Sequence, residues 1–175
     1  MTDQRIEIVD NFLPEEHFRT IKECFMGESN MRGRRFNWDW TDGISELKDG
    51  HFQFNRMIYC SSIPVSEYYS VLAPICDKEQ FAATLRIKAN LNVKTEKLKV
   101  FDNAFHEDMG ELRIKYTTGI YYINTNDGYT LFETCGTKVE SVANRFLRFP
   151  GHLRHTGTTC TNQNRRVLIN FNYIN

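Results

Sequence analysis

The chain has 175 residues, 22 Lys plus Arg against 22 Asp plus Glu, and 41% apolar residues, the size and texture of one folded domain. Zero formal net charge argues against nucleic acid or an anionic membrane surface as the main partner, and no run of 18 apolar residues offers a membrane span. The opening Met1-Thr2-Asp3-Gln4-Arg5-Ile6-Glu7 lacks the apolar stretch of a secretory signal, so a cytoplasmic location is expected. Cys24, Cys60, Cys76, Cys135 and Cys160 are widely spaced with no C-x-x-C. That excludes a zinc ribbon, a thioredoxin-like motif and a disulfide framework.

The first half reads as helices around a loop. Pro14 suits a first helical position, Glu15 and Glu16 follow, and Phe18, Ile21 and Phe25 recur at helical spacing before Gly27. His17 falls on the polar side. A second helical stretch opens at Ser62 or Pro64, with Tyr68, Val71, Leu72 and Ile75 on one face and Pro74 bending or ending it. Between them, residues 31–56 are rich in Gly, Asp, Asn and Arg and carry Trp38 and Trp40. This segment is either a loop folded over a ligand or a pair of edge strands packing their rings on the core. The cluster from Arg32 to Arg35 belongs to it, and His51 has no evident partner there.

From residue 84 the period changes to two. Residues 84–92, 114–124, 129–133, 145–149 and 166–173 alternate, and turn signals fall between them: Asn126-Asp127-Gly128, Cys135-Gly136, Pro150-Gly151 and Asn162-Gln163-Asn164. The expected fold is mainly β with flanking helices, an antiparallel sandwich or barrel. A single domain spans 1–175, with N-terminal helices and a substrate-side loop over 1–83 and a jelly-roll core over 84–175.

The chemistry begins at Phe105-His106-Glu107-Asp108. On a strand, His106 and Asp108 project to one side and can supply two neighbouring ligands to a metal. His155 is the candidate third ligand; His152 competes but follows Pro150-Gly151 inside the turn. Two His and one carboxylate form the facial set of non-haem Fe(II) oxygenases. On the last strand Arg166, Leu168, Asn170 and Asn172 share one face, and the apolar Val167, Ile169, Phe171 and Tyr173 share the other. The first face then looks into the barrel and places a guanidinium there, which needs an anion. A hairpin count sets His155 opposite Asn170, leaving a gap to Arg166 that suits a short dicarboxylate. Arg165 points outward. Tyr122 faces inward, either as a phenol donating to that carboxylate or as an aromatic core residue.

His-x-Asp, a later His and an Arg on the last strand, in that order, resemble the Fe(II)- and 2-oxoglutarate-dependent dioxygenases, particularly the prolyl-4-hydroxylase-like branch. Ile8-Val9-Asp10-Asn11-Phe12-Leu13-Pro14-Glu15 resembles the strand-then-helix opening of that branch, and Ile120-Tyr121-Tyr122-Ile123-Asn124 its tyrosine-bearing strand. Phe149-Pro150 with His155-Thr156-Gly157 resembles the distal-histidine turn, and Arg166-Val167-Leu168-Ile169-Asn170-Phe171 the final strand. The resemblance implies a double-stranded β-helix, a jelly-roll or cupin-like fold. It implies Fe(II) on His106, Asp108 and His155, with 2-oxoglutarate held by Arg166 and Tyr122. Asn170 and Asn92 are further expected cosubstrate contacts. O2 is the oxidant and ascorbate an optional accessory.

The implied reaction is hydroxylation of a peptide or protein side chain or of a small molecule, with succinate and CO2 as coproducts. Asp108 favours hydroxylation, because halogenating relatives have a small residue there. The strand before His106 reads Lys88-Ala89-Asn90-Leu91-Asn92 and lacks the cosubstrate-contacting tyrosine usual in prolyl hydroxylases, so Asn90 or Asn92 stands in. A cupin-type metal-dependent isomerase or epimerase and a non-catalytic jelly-roll module are the alternatives. Monomer and homodimer are both compatible with the sequence.

Overall fold

The computed structural model describes residues 5–27, 35–47, 49–110 and 114–175. In chain order the elements are β1 (Glu7–Val9), α1 (Glu15–Met26), β2 (Asp39–Thr41), β3 (Gln53–Cys60), β4 (Ile63–Pro64), a 3-10 helix (Glu67–Leu72) and α2 (Ala73–Glu79). There follow β5 (Ala83–Val93), β6 (Thr117–Tyr122), β7 (Tyr129–Phe132), β8 (Lys138–Glu140), β9 (Arg145–Pro150), β10 (His155–Thr156) and β11 (Arg165–Ile174). The described strands form an antiparallel major sheet in the order β1-β9-β6-β11-β5-β3-β2, with β4 beside β3, and a minor sheet in the order β10-β7-β8. Single bridges from Val100 to Thr158 and from His106 to His155 extend the minor sheet. Two facing sheets of this order make the expected double-stranded β-helix. No helix among the described residues is long and apolar enough to cross a membrane.

The faces of β5 and β11 decide which side each sheet buries. Val167, Ile169, Phe171 and Tyr173 of β11, with Ile87, Ala89 and Leu91 of β5, enter the larger apolar core. Phe18, Ile21 and Phe25 of α1 cover it together with Leu72 and Ile75. A smaller core fills one end of the space between the sheets, from Ile120, Tyr122, Leu147, Phe149 and Leu168 on one side and Phe132, Val139 and Leu153 on the other. The opposite face of β5 and β11 is polar and looks into the same space.

Local differences from the sequence expectations have local causes. Pro14 sits one position before the helix and Glu15 opens it, where the two acidic residues meet the unpaired N–H groups. Ser66, not Ser62 or Pro64, caps the second helical stretch by accepting from Tyr68 N at 3.4 Å. Ser61 and Ser62 instead adopt positive φ between β3 and β4. Pro74 lies in the first turn of α2, after Ala73, rather than ending the stretch, because its missing N–H has no partner to lose there. β1 followed by α1 is the strand-then-helix opening that the resemblance implied, and the region before residue 84, otherwise expected as helices and a loop, also supplies β2, β3 and β4 to the major sheet.

In the 31–56 segment the strand alternative holds in part: β2 is an edge strand, whereas β3 begins at Gln53 and lies inside the sheet between β2 and β5. Trp38 packs on Phe36 at 4.6 Å between ring centroids, whereas Trp40 is 59% exposed. Of the Arg32 to Arg35 cluster, only Arg35 lies within the described residues.

One residue ties the opening of the chain to the barrel. Asn144, at φ 60°, accepts from Leu13 N at 2.9 Å and donates to Leu13 O at 2.8 Å. It also accepts from the Tyr121 hydroxyl at 2.8 Å. Asparagine tolerates this left-handed backbone better than most residues. Asn144→Ala strands a buried N–H, a carbonyl and a phenol together, and we expect it to lower unfolding free energy by roughly 2 kcal/mol or more in urea titrations; an unchanged midpoint would contradict this role.

Candidate metal centre and anion clamp

His106 and His155 are cross-strand neighbours. Each backbone N–H donates to the other's carbonyl at 3.0 Å, and the two rings lie 5.1 Å apart. The Nδ1 of His106 lies 2.9 Å from Ala104 O and that of His155 lies 3.1 Å from Leu153 O. A carbonyl only accepts, so Nδ1 carries the proton in both rings and Nε2 keeps its lone pair for a metal. Burial pushes the His155 imidazole down to about 4, with the neighbouring His106 adding to the effect and Asp108 opposing it. His155 is therefore neutral at physiological pH, as ligation requires.

Asp108 does not sit on a regular strand. His106 is a single bridge residue and Asp108 lies in the turn that follows, yet the two-residue offset still brings Asp108 Oδ1 to 3.8 Å from His106 Nε2. One ligand atom from each of His106, Asp108 and His155 lies within 4.8 Å of the others. His152 is exposed in the turn and takes no part. Two imidazole nitrogens and one carboxylate on one side of a cavity are a donor set suited to Fe(II). Burial works to raise the Asp108 pKa, but the Arg86 guanidinium, with smaller help from His106 and His155, outweighs it and holds the carboxyl well below the usual range.

The Asp108 carboxylate is held from beneath by residues of the two central strands. Arg86 Nη2 donates to Oδ1 at 2.7 Å, Asn172 Nδ2 to Oδ2 at 3.1 Å and Asn170 Nδ2 to Oδ1 at 3.4 Å. Arg86 Nε donates to Asn172 Oδ1 at 2.9 Å, closing the network. The registers Asn172 opposite Arg86 and Asn170 opposite Lys88 assemble this floor.

Arg166 stands four residues along β11 from Asn170, opposite Asn92. It is 1% exposed. Its Nε donates to Ser141 Oγ at 2.8 Å, its Nη2 to Thr130 Oγ1 at 3.3 Å, and its guanidinium lies over the Tyr122 ring at 5.8 Å. No carboxylate among the described residues pairs with it, and burial pushes its pKa down. Glycine at 157 keeps the other side open, since a Cβ there would stand 3.3 Å from Arg166 Nη1. The Tyr122 hydroxyl is shared with Thr130 Oγ1 at 2.7 Å, and Thr130 lines the cavity in front of it.

A single cavity joins the two ends. Its walls include His106 and His155 at one end, Arg166 and Thr130 at the other, and Lys88, Asn90, Asn92 and Asn170 between. Ile44 and Gln53, from the 31–56 segment, close one side, with Gln53 Nε2 donating to Ile44 O at 3.3 Å. His51, which had no evident partner in sequence, bonds to Asn103 Oδ1 at 2.5 Å and packs its ring on Phe101, another wall residue.

The hairpin count that set His155 opposite Asn170 is corrected. β10 pairs with β7 in the minor sheet and β11 with β5 and β6 in the major one, so the two residues face each other across the cavity. Arg165 is outward, as expected, but not idle: it donates to Met26 O at 2.6 Å, at the C-terminus of α1.

Sequence reasoning passed over Arg86, Lys88, Thr130 and Ser141. For the first two the signal was available. Arg86, Lys88, Asn90 and Asn92 alternate with the apolar Leu85, Ile87, Ala89 and Leu91, so the argument that turned Arg166 inward applies equally to β5. Burial and the adjacent Arg86 push the Lys88 ammonium down to about 8, against the pull of Asp108.

No protein-family model matches this sequence, and no curated protein sequence matches it. Solved structures do match in fold. A viral collagen prolyl hydroxylase from Paramecium Bursaria Chlorella virus-1, in complex with 2-oxoglutarate, aligns with TM-score 0.61 and 11% identity over 98% of each chain. A prolyl hydroxylase from Trichoplax adhaerens, in complex with a hypoxia inducible factor peptide, aligns with TM-score 0.65 and 11% identity over 98% of this chain and 84% of that one. A non-heme alpha ketoglutarate dependent carbocyclase from nogalamycin biosynthesis aligns with TM-score 0.62 and 10% identity over 98% of this chain and 79% of that one. The resemblance drawn from the His-x-Asp, His and Arg motifs therefore holds for the fold: the chain has the double-stranded β-helix of the Fe(II)/2-oxoglutarate oxygenases, the prolyl hydroxylases among them.

Two outcomes test the electrostatics of the site. Arg86→Met leaves Asp108 buried without its cation and is expected to cost about 3–5 kcal/mol of stability, part of it regained with saturating Mn(II); a variant as stable as wild type without metal would contradict the pairing. For Lys88, the folded pKa of about 8 lies below the ordinary 10.5. Between those values the unfolded chain holds a proton that the folded chain has released, so stability rises with pH. Lys88→Met is therefore expected to exceed wild type in urea midpoint at pH 7, with the gap closing towards pH 10. A gap independent of pH would contradict it.

Proposed function

We propose that the chain is an Fe(II)- and 2-oxoglutarate-dependent oxygenase whose reaction is hydroxylation, with succinate and CO2 formed from the cosubstrate. Arg166 carries this reading. A buried guanidinium satisfied only by hydroxyls is costly, and its fork is suited to a carboxylate. The His106, Asp108 and His155 group lies at the other end of the same cavity. A dicarboxylate with a keto-acid end answers both ends at once, in a way that a cupin-type isomerase does not require. Fe(II), when bound, supplies the activation of O2.

The protein's own part is positional. His106 and His155 present Nε2, and Arg86 with Asn172 keeps Asp108 ionised and oriented. Arg166, with Thr130 and Tyr122 behind it, fixes the distal carboxylate. Asn92 and Asn170 flank the path between the ends, and the apolar Phe101, Ile120 and Leu168 exclude water from it. A full-sized carboxylate at position 108 supports hydroxylation over halogenation. The substrate is a peptide side chain or a small molecule, with prolyl hydroxylation as the first candidate because two of the aligned structures are prolyl hydroxylases.

Succinate release with Fe(II), O2 and 2-oxoglutarate tests the reading. Wild type is expected to turn over, whereas His106→Ala and Asp108→Ala abolish both metal binding and succinate formation. Arg166→Ala is expected to weaken 2-oxoglutarate binding about 100-fold, the scale of a lost charge-assisted bidentate pair. Wild-type-like succinate release by Asp108→Ala would overturn the assignment.

A further inference from the structure

We infer that Lys88 seats a second carboxylate in this cavity, apart from the one at Arg166 and level with the metal-binding residues. The inference rests on the function proposed above, because it concerns the same cavity. Lys88 lies opposite Asn170, whereas Arg166 lies opposite Asn92, four residues further along each strand. At about 3.4 Å per residue the two positions are roughly 14 Å apart along the sheet. They are two separate cationic points, not one cluster.

The neighbours of Lys88 leave it available. Arg86 is committed to Asp108 and Asn172, and no carboxylate among the described residues lies within ion-pair distance of Lys88. Two buried amide oxygens beside it also lack partners, Asn90 Oδ1 and Asn170 Oδ1. Their directions follow from bonds already made. Asn170 spends Nδ2 on Asp108 and Asn90 spends Nδ2 on Lys88 O at 3.4 Å, so both leave an oxygen over. Unpaired buried amides are expensive. Together they ask for a ligand that brings an anion to the ammonium and N–H or O–H donors to the oxygens.

An acid with an amino, amide or hydroxyl group close to its carboxylate has that chemistry. The carboxylate could come from the keto-acid end of the cosubstrate or from an acidic group of the substrate. An alkyl side chain at position 88 would pack such a cavity at lower cost, so the cation is there for what it binds.

Calorimetry on the Mn(II)-loaded protein separates the two sources without needing turnover. Wild type, Lys88→Met and Lys88→Arg are titrated with 2-oxoglutarate. The saturated complexes are then titrated with proline, other amino acids and short hydroxy acids, each paired with its amide. An at least tenfold loss of 2-oxoglutarate affinity in Lys88→Met, partly restored in Lys88→Arg, assigns the seat to the cosubstrate. Unchanged 2-oxoglutarate affinity, with an acid that binds wild type but neither its own amide nor Lys88→Met, assigns it to the substrate. If Lys88→Met matches wild type in both titrations, the inference is overturned while the function proposed above stands. If wild type fails to bind 2-oxoglutarate, that function fails instead, and the acid panel on the Mn(II)-loaded protein alone decides the role of Lys88.

Discussion

The antiparallel pairing of β5 with β11, running from Arg165 opposite Val93 to Ile174 opposite Ala83, is the constraint on which the rest of the molecule depends. Both strands alternate, and apart from Leu168 the buried apolar residues of 87–91 and 167–173 go to the helical side. Every polar residue of the other parity is thereby committed to the space between the sheets. Arg86, Lys88, Asn90 and Asn92 meet Asn172, Asn170, Leu168 and Arg166 there in register. A slip of one residue would put Phe171 and Ile87 in the cavity and the charges under α1. The hydrophobic contact of α1 and α2 with the outer face therefore fixes the chemistry of the inner one.

That arrangement concentrates unfavourable burial in one place. Asp108 and Arg86 compensate each other directly, but Arg166 rests on neutral hydroxyls and Lys88 has only the more distant pull of Asp108. Replacing such groups by apolar residues commonly stabilises a protein. Keeping them makes sense where ligands supply the missing charges, a divalent ion at one end and carboxylates along the cavity. The smaller apolar core and the His106–His155 bridge hold the minor sheet against this polar floor. His155 comes from β10 and His106 from the bridge to it, whereas Asp108 sits in a turn that Arg86, Asn170 and Asn172 hold in place.

Much of this was legible in the sequence because it depends on parity and order. The strand periods of 84–92 and 166–173 and the inward turn of Arg166 follow from local alternation, whereas His106 and Asp108 come together although Asp108 lies in a turn and not on a strand. What resisted was long-range. A hairpin count joined His155 to the last strand, whereas the barrel closes by sending β10 to β7; nothing local to residues 155–164 distinguishes the two. Pro74 was ambiguous because the same residue ends one helical turn or begins the next. Ser141 and Thr130 carry no signature at all, since a hydroxyl becomes an arginine's partner only once the two sheets face each other. Arg86 and Lys88 were legible in principle, by the same parity argument that found Arg166.

The central claim is that one cavity holds an iron ion on His106, Asp108 and His155 and a keto-dicarboxylate reaching from that ion to Arg166. Anaerobic addition of Fe(II) and 2-oxoglutarate to the intact protein tests it most directly, read as the weak visible charge-transfer band of a keto acid chelated to iron. The band is predicted to appear in wild type only when both are present, and to need far more 2-oxoglutarate in Arg166→Ala. No band in wild type at saturating Fe(II) and 2-oxoglutarate would contradict the account.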